Sequence, residues 1–228
     1  MQENKLVRLN KFISNSGLCT RREADVYIKS RWITVNNQVV NTLGQKVKLK
    51  DIVKFRGKRI FPYPKKFILL NKPKGFECDK FYPKNIFSLI SKSNIQGSLK
   101  CLSPLKNQYS GLVLITNQII NTIKKNSYLQ IFHIKLDNDI SKKDLNEIKS
   151  QNTYTHFSIK SIDHIKNDKL NEIGLEIFFA NDFKKLEKLF KNKRCKITFL
   201  DRVSFSNFNK KDLPRGKWRE LDKKEFKF

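Results

Sequence analysis

RLNKFISNSGLCTRREADVYIKSRWITVNNQVV, residues 8–40, decides the architecture of the first part of the chain. Leu9, Phe12 and Ile13 share one helical face, and Gly17 stands where a helix end takes a left-handed residue. Thr20 and Glu23 have capping-box spacing, each side chain satisfying a free amide of a helix start. Ala24, Tyr27 and Ile28 give this second helix its apolar face. Trp32 to Val40 then alternates as a hairpin around Asn36 and Asn37, residues that tolerate positive φ. VKFRGKRI (53–60) suggests another hairpin, turning at Arg56 and Gly57. Two short helices and small strands bury little on their own, so the reading is a small module with an exposed basic helix face.

FPYPKK (61–66), with two prolines close together, reads as a linker. The expected domains are 1–62 and 63–228. In the second, FILLNKPKG (67–75) starts as a buried strand that breaks at Pro73, and GLVLITN (111–117) is another buried strand. IFHIKL (131–136), HFSIKSIDHI (156–165), EIGLEIFF (172–179) and ITFLDRVSF (197–205) also read as strands. SKKDLNEIKS (141–150) is a capped helix, and NDFKKLEKLFKNK (181–193) is a helix with Phe183, Leu186, Leu189 and Phe190 inward. Strands and helices mix without a strict βαβ repeat, so the expected class is α+β around a mixed sheet.

The formal net charge of +27 draws polyanions, above all nucleic acid. Compositional drift explains a share of it, because the chain is rich in Lys, Asn and Ile. Drift toward lysine predicts scarce arginine, and only ten of the 48 basic residues are Arg. Six lie from Arg8 to Arg59, four from Arg194 to Arg219, and none between. Arginine makes planar, bidentate contacts that lysine cannot copy. The two ends therefore keep geometric demands that the middle has relaxed.

No stretch has membrane-spanning length or the form of an amphipathic basic anchor. The N-terminal segment lacks the apolar run of a signal peptide, so the expected location is cytoplasmic. Cys19, Cys78, Cys101 and Cys195 are scattered without a CxxC, and His133, His156 and His164 form no ligand cluster with them. Neither a disulfide nor a metal site is expected.

The helix–helix–hairpin segment resembles the RNA-binding S4 domain. The family's basic positions fall on Arg8, Lys11, Arg21, Arg22 and Lys29, with Asn37 in place of the usual hairpin Gly. FILLNKPKG, SGLVLITN and LDRVSFSNFNKKDLPRGKWREL are similar to pseudouridine synthases of the RsuA/RluB type. Together the two regions cover nearly the whole chain in that family's order. The resemblance implies a flipped-out uridine in RNA, an aspartate that initiates glycosidic cleavage, and no cofactor or metal.

The family's catalytic loop, PVGRLD, falls on CLSPLK (101–106), which puts the aspartate at Lys106 and the arginine at Pro104. A carboxylate serves as nucleophile or base, whereas an ammonium supplies positive charge and donors. The family tyrosine falls on Phe132. Its arginine-rich stretch falls on residues 181–188, where Lys184 keeps a positive charge and Glu187 replaces an arginine. Asp79, Asp137 and Asp139 are the nearest substitute acids, and Tyr109 or Phe132 the aromatics able to stack a base.

The leading expectation is a catalytically silent, monomeric protein that binds ribosomal RNA or a pre-ribosomal particle and aids ribosome assembly. Arg8, Lys11, Arg21, Arg22, Lys29, Lys72, Lys74, Lys106 and Lys184 are its candidate RNA contacts. One alternative is an active synthase with a relocated acid. The other is a structural or protein-binding module whose charge is drift. For LPRGKWREL (213–221), Trp218 is expected to pack the tail onto the sheet, with Arg215 and Arg219 tying the turn.

Overall fold

The computed structural model describes residues 6–93, 95–97, 99–117, 128–150, 157–166, 168–179, 183–222 and 225. His156, and Asn181 and Asp182 at the start of the expected last helix, lie outside them. The described residues form two compact units. Of the described residues, one draws on 6–67, 95–97, 99–100 and 116–117, the other on 68–93, 101–115 and those from 128 onward.

The first unit contains β1 (Leu6–Arg8), α1 (Leu9–Asn15), α2 (Arg21–Lys29), β2 (Ile33–Val35), β3 (Gln38–Val40), β4 (Lys46–Lys48), β5 (Val53–Phe55) and β6 (Lys58–Ile60). α2 starts with the expected capping box: the Glu23 N–H donates to Thr20 Oγ1 at 3.1 Å, and the Thr20 N–H donates to Glu23 Oε2 at 2.7 Å. Gly17 is left-handed after α1, and Asn36, Asn37 and Arg56 are left-handed in the two hairpin turns. β3-β2-β5-β6 form one antiparallel sheet. The short pair β1–β4, which the sequence pattern did not reveal, closes over the core built on Leu9, Phe12, Ile13, Ala24, Ile28, Ile33 and Val53.

The second unit is built on a mixed sheet. Its elements are β7 (Phe67–Lys72), α3 (Ile86–Leu89), β8 (Lys100–Cys101), β9 (Ser110–Thr116), β10 (Leu129–Leu136), α4 (Lys142–Ser150), β11 (Phe157–His164), β12 (Glu172–Phe179), α5 (Phe183–Lys191), β13 (Ile197–Phe205), β14 (Phe208–Asn209) and β15 (Trp218–Glu220). The sheet order is β11-β12-β10-β13-β9-β7-β15, with β14 on β13 and β8 on β9. β13 runs parallel to β9 and antiparallel to β10, which makes the sheet mixed. β9 is buried at every position, as its unbroken apolar run requires. β10 alternates between buried and half-buried positions, so one of its faces is fully covered and the other partly. β15 pairs antiparallel with β7, Trp218 opposite Leu70, so the tail joins the sheet edge as expected. Among the described residues, no helix is long and apolar enough to cross a membrane.

β9 and β13 approach each other closely at Gly111, which faces Arg202 across the pair. Gly111 has φ +116, and a Cβ there would lie 2.3 Å from the Arg202 backbone nitrogen. Both the conformation and the space exclude a side chain. Gly111→Ala is expected to lower stability by roughly 3 kcal/mol or more, read as a lower denaturation midpoint in urea. An unchanged midpoint would show that the two strands separate without cost.

Candidate active-site region: the loop that carries Lys106

The loop between β8 and β9 carries Lys106. Its shape is set by buried groups beneath it. Lys72, fully buried at the end of β7, donates to the carbonyls of Tyr109 at 2.6 Å, Lys106 at 3.1 Å, Pro73 at 3.3 Å and Asn107 at 3.4 Å. The Tyr109 N–H closes the turn onto the Lys106 carbonyl at 3.0 Å, and the Gly75 N–H reaches the Asn107 carbonyl at 2.7 Å. Arg202, also fully buried, donates to the carbonyls of Ser103 and Leu112, each at 2.9 Å. The Leu105 N–H donates to Cys78 Sγ at 3.3 Å. Burial pulls the Lys72 pKa down to about 8.

This geometry corrects one expectation. Lys72 does not stand ready for RNA, because its ammonium is spent on the loop's carbonyls inside the protein. Lys74 and Lys184 are exposed, as are Arg8, Lys11, Arg21, Arg22 and Lys29 of the first unit.

Lys106 is half-buried and faces a carboxylate. Its Nζ lies 2.6 Å from both oxygens of Glu187 in α5. The Tyr109 hydroxyl donates to Glu187 Oε1 as well. Burial, then that hydrogen bond, pushes the Tyr109 hydroxyl well above the usual phenol range. The helix supplies this arrangement through its period. Phe183, Leu186, Leu189 and Phe190 are buried, and Glu187, four residues after Phe183, lies along the same stripe. That spacing places Glu187 beside the buried stripe, but nothing in it names Lys106, 81 residues away, as its partner.

The substitute acids proposed from sequence do other work. Asp79 accepts the Phe81 N–H at 3.1 Å in its own exposed turn, Asp137 accepts the Lys196 N–H at 2.7 Å, and Asp139 is exposed after β10. The expected stacking aromatics are core residues. Phe132 is fully buried and meets Phe183 edge-on at 6.2 Å, and Tyr109 packs on Phe183 at 5.4 Å.

Two features escaped the sequence reading, the ionic role of Asp201 and the proximity of Cys78 to Cys101. Asp201, in the middle of β13, is a buried acceptor for Ser110 Oγ at 2.8 Å, Arg215 at 2.9 Å and the Lys210 ammonium. Burial alone would raise its pKa, but the hydrogen bonds from Arg215, Lys210 and Ser110 hold it below the usual carboxylate range. Arg215 also grips Asn71 Oδ1 at 2.6 Å and the Lys72 carbonyl at 3.2 Å, as a tie of the turn, while Arg219 pairs with Glu225. Cys78 and Cys101, distant in sequence, come close enough to perturb each other, which lowers the first thiol's pKa and raises the second's.

Comparison with known proteins places both halves. The S4 domain model matches residues 7–53. An uncharacterized RNA pseudouridine synthase of Aquifex aeolicus (strain VF5) is 30% identical over 96% of this chain and 92% of its own length. The dual-specificity RNA pseudouridine synthase RluF of Escherichia coli (strain K12) is 26% identical over 97% of this chain and 77% of its own length. A solved structure, "Crystal structure of pseudouridylate synthase", superposes with a TM-score of 0.58 at 18% identity, over 96% of this chain and 97% of that one.

Lys106 and Glu187 are each about one-third exposed (34% and 31%), so solvent screens their attraction. Lys106→Glu alone, which sets two carboxylates together, is expected to cost about 0.5–1 kcal/mol. The exchange Lys106→Glu with Glu187→Lys is expected to recover most of that in a urea-denaturation cycle. No recovery would mean that the pair has no energetic coupling. The buried Lys72 gives a pH signature. Its folded pKa lies below its ordinary value of 10.5, so between about pH 8 and 10.5 the unfolded chain binds the extra proton and stability rises with pH. Lys72→Met is expected to lose that rise, measured as the slope of unfolding free energy against pH.

Proposed function

The chain belongs to the RsuA/RluB-type family of S4-containing RNA pseudouridine synthases, and we propose that within it this protein is a catalytically silent binder of ribosomal RNA. The observation that carries this reading is the reversed polarity of the loop. Lys106 stands where the family resemblance puts the catalytic aspartate. Glu187 stands where it puts an arginine, and the two are in contact at 2.6 Å. An ion pair at this place keeps its packing and its neutrality with the signs exchanged. The exchange leaves an ammonium in place of the acid that the chemistry needs.

Phe132 supports the same reading. It occupies the family tyrosine's position with no hydroxyl, inside the core. What remains is a basic fold with exposed Arg8, Lys11, Arg21, Arg22 and Lys29 on the S4 helices, suited to phosphate contacts. A role in ribosome assembly, a monomeric state, a cytoplasmic location and working domain limits at 1–62 and 63–228 are parts of this proposal.

A specific observation favours a second reading. Glu187 is a carboxylate beside the loop, partly open to solvent, and an active enzyme with a relocated acid would use it. Against this, Lys106 lies close to both of its oxygens and Tyr109 occupies one of them, so its charge is already compensated.

The deciding assay is tritium release from C5-labelled uridine in an unmodified ribosomal RNA transcript, with RNA binding measured in the same samples. The wild type is expected to release nothing above a blank. It is expected to bind RNA with an affinity that falls roughly a thousand-fold between ~50 and ~200 mM salt. Release abolished by Glu187→Gln would overturn silence and establish the relocated acid. Neither release nor salt-sensitive binding would leave the protein a structural module.

A further inference from the structure

Only part of the arginine retained in the first unit lies on its helix face. Arg8 is the N-cap residue of α1 and Arg21 and Arg22 open α2, whereas Arg31, Arg56 and Arg59 belong to the sheet and its turns. In a chain that uses lysine for most of its positive charge, these three mark places where a planar cation has been kept.

Arg56 sits on an aromatic column. Tyr27 of α2 packs against Phe55 of β5 with ring centroids 4.9 Å apart, and against Trp32 at 5.4 Å. The Arg56 guanidinium carbon lies 3.8 Å from the centre of the Trp32 ring. The turn is pinned there, because the Arg56 N–H donates to the Trp32 carbonyl at 2.8 Å. Arg56 is exposed and Trp32 is 37% exposed, so the outer end of the column meets solvent.

The backbone adds an independent mark. Arg31 and Arg56 are both left-handed, with φ of 59° and 46°. Asn36 and Asn37 fill the same conformation in the neighbouring hairpin turn, as residues suited to it. Arginine gains nothing from that geometry, so its presence next to Trp32 in the chain and over its ring points to its side chain. A second cation–aromatic pair, Arg59 at 4.6 Å from the ring centre of exposed Phe61, lies in and just after β6.

We propose that Trp32 and Arg56 form a base-stacking platform for a single-stranded segment of RNA, distinct from the S4 helix face. Unpaired bases stack on aromatic rings and on guanidinium planes. A base laid on the outer face of Arg56 extends the column Tyr27–Trp32–Arg56, and the exposed Arg31 and Lys58 beside it meet the flanking phosphates. Charge complementarity to RNA comes from the strongly basic chain as a whole, +27. The proposal rests on the reading of the chain as an RNA binder and is independent of whether it is catalytically silent.

The test uses the full-length protein and three polyanions: single-stranded oligouridine, the same strand made abasic throughout, and heparin. Oligouridine is expected to quench tryptophan emission in the wild type, and the quench is expected to vanish in Trp32→Phe. The abasic strand and heparin are expected to bind without that quench. Arg56→Lys, which keeps the charge and loses the plane, is expected to bind oligouridine about ten-fold more weakly and the abasic strand unchanged. Equal binding of oligouridine by Arg56→Lys and wild type, or a heparin quench equal to that of oligouridine, overturns the platform. The double variant Arg21→Ala with Arg22→Ala reports separately on the helix face. If the wild type binds none of the three, the RNA-binding reading itself fails. If binding persists and responds only to the helix-face variant, that reading stands and the platform alone is lost.

Discussion

The carboxylate of Asp201 is nearly out of reach of water, yet it holds a hydroxyl and two cations from three separate parts of the second unit. Ser110 opens β9, Lys210 follows β14, and Arg215 lies in the turn before β15. A buried charge left unpaired is costly, so these segments cannot drift from β13 independently. Arg215 passes the constraint on to Asn71 and the Lys72 carbonyl. Lys72 in turn gathers the carbonyls of the loop that carries Lys106. The start of β9, the end of β7 and the loop beside them are thus located by one connected polar network, and Gly111 lets the strands close around it.

This network holds the shape of the loop without calling on the side chain at position 106. The groups that fix its backbone are Lys72, Arg202, Gly75 and Ser103, and none of them depends on the side chain at position 106. The side chain at 106 answers instead to Glu187 on α5. Packing asks only that the charge at 106 be met by an opposite one, whereas nucleophilic or basic chemistry asks for a particular charge.

The first unit follows a different economy of residues. Its core is apolar and ordinary, and its cationic side chains point outward. Lysine suffices wherever a solvated positive charge is wanted. Arginine persists at the helix starts and around Trp32, where planarity and a fixed donor geometry matter. Arg31 precedes Trp32 in the chain and Arg56 lies over its ring, both in the left-handed conformation.

Local rules made much of this protein legible from its sequence. Period-three-to-four apolar spacing, the Thr20–Glu23 cap, the left-handed turns and the alternating strands depend on near neighbours, so the helices and most strands could be read directly. The two-part family pattern was legible for the same reason, as were the strand β13 and the joining of the tail at Trp218 to the sheet. Short edge pieces such as β1, β4 and β15 carry too few residues to show a period, and tertiary pairing alone defines them. Which charge meets which was also beyond the sequence. Glu187 lies 81 residues from Lys106. Asp201 and Arg202 look alike as charged residues in an apolar strand, but one became an ionic hub and the other a buried donor to backbone carbonyls. Lys72 reads as a surface lysine in a turn, and only the fold reveals that it is inside. Long-range electrostatic partners are chosen by the meeting of distant segments in a low-dielectric interior, where an unpaired charge is not tolerated.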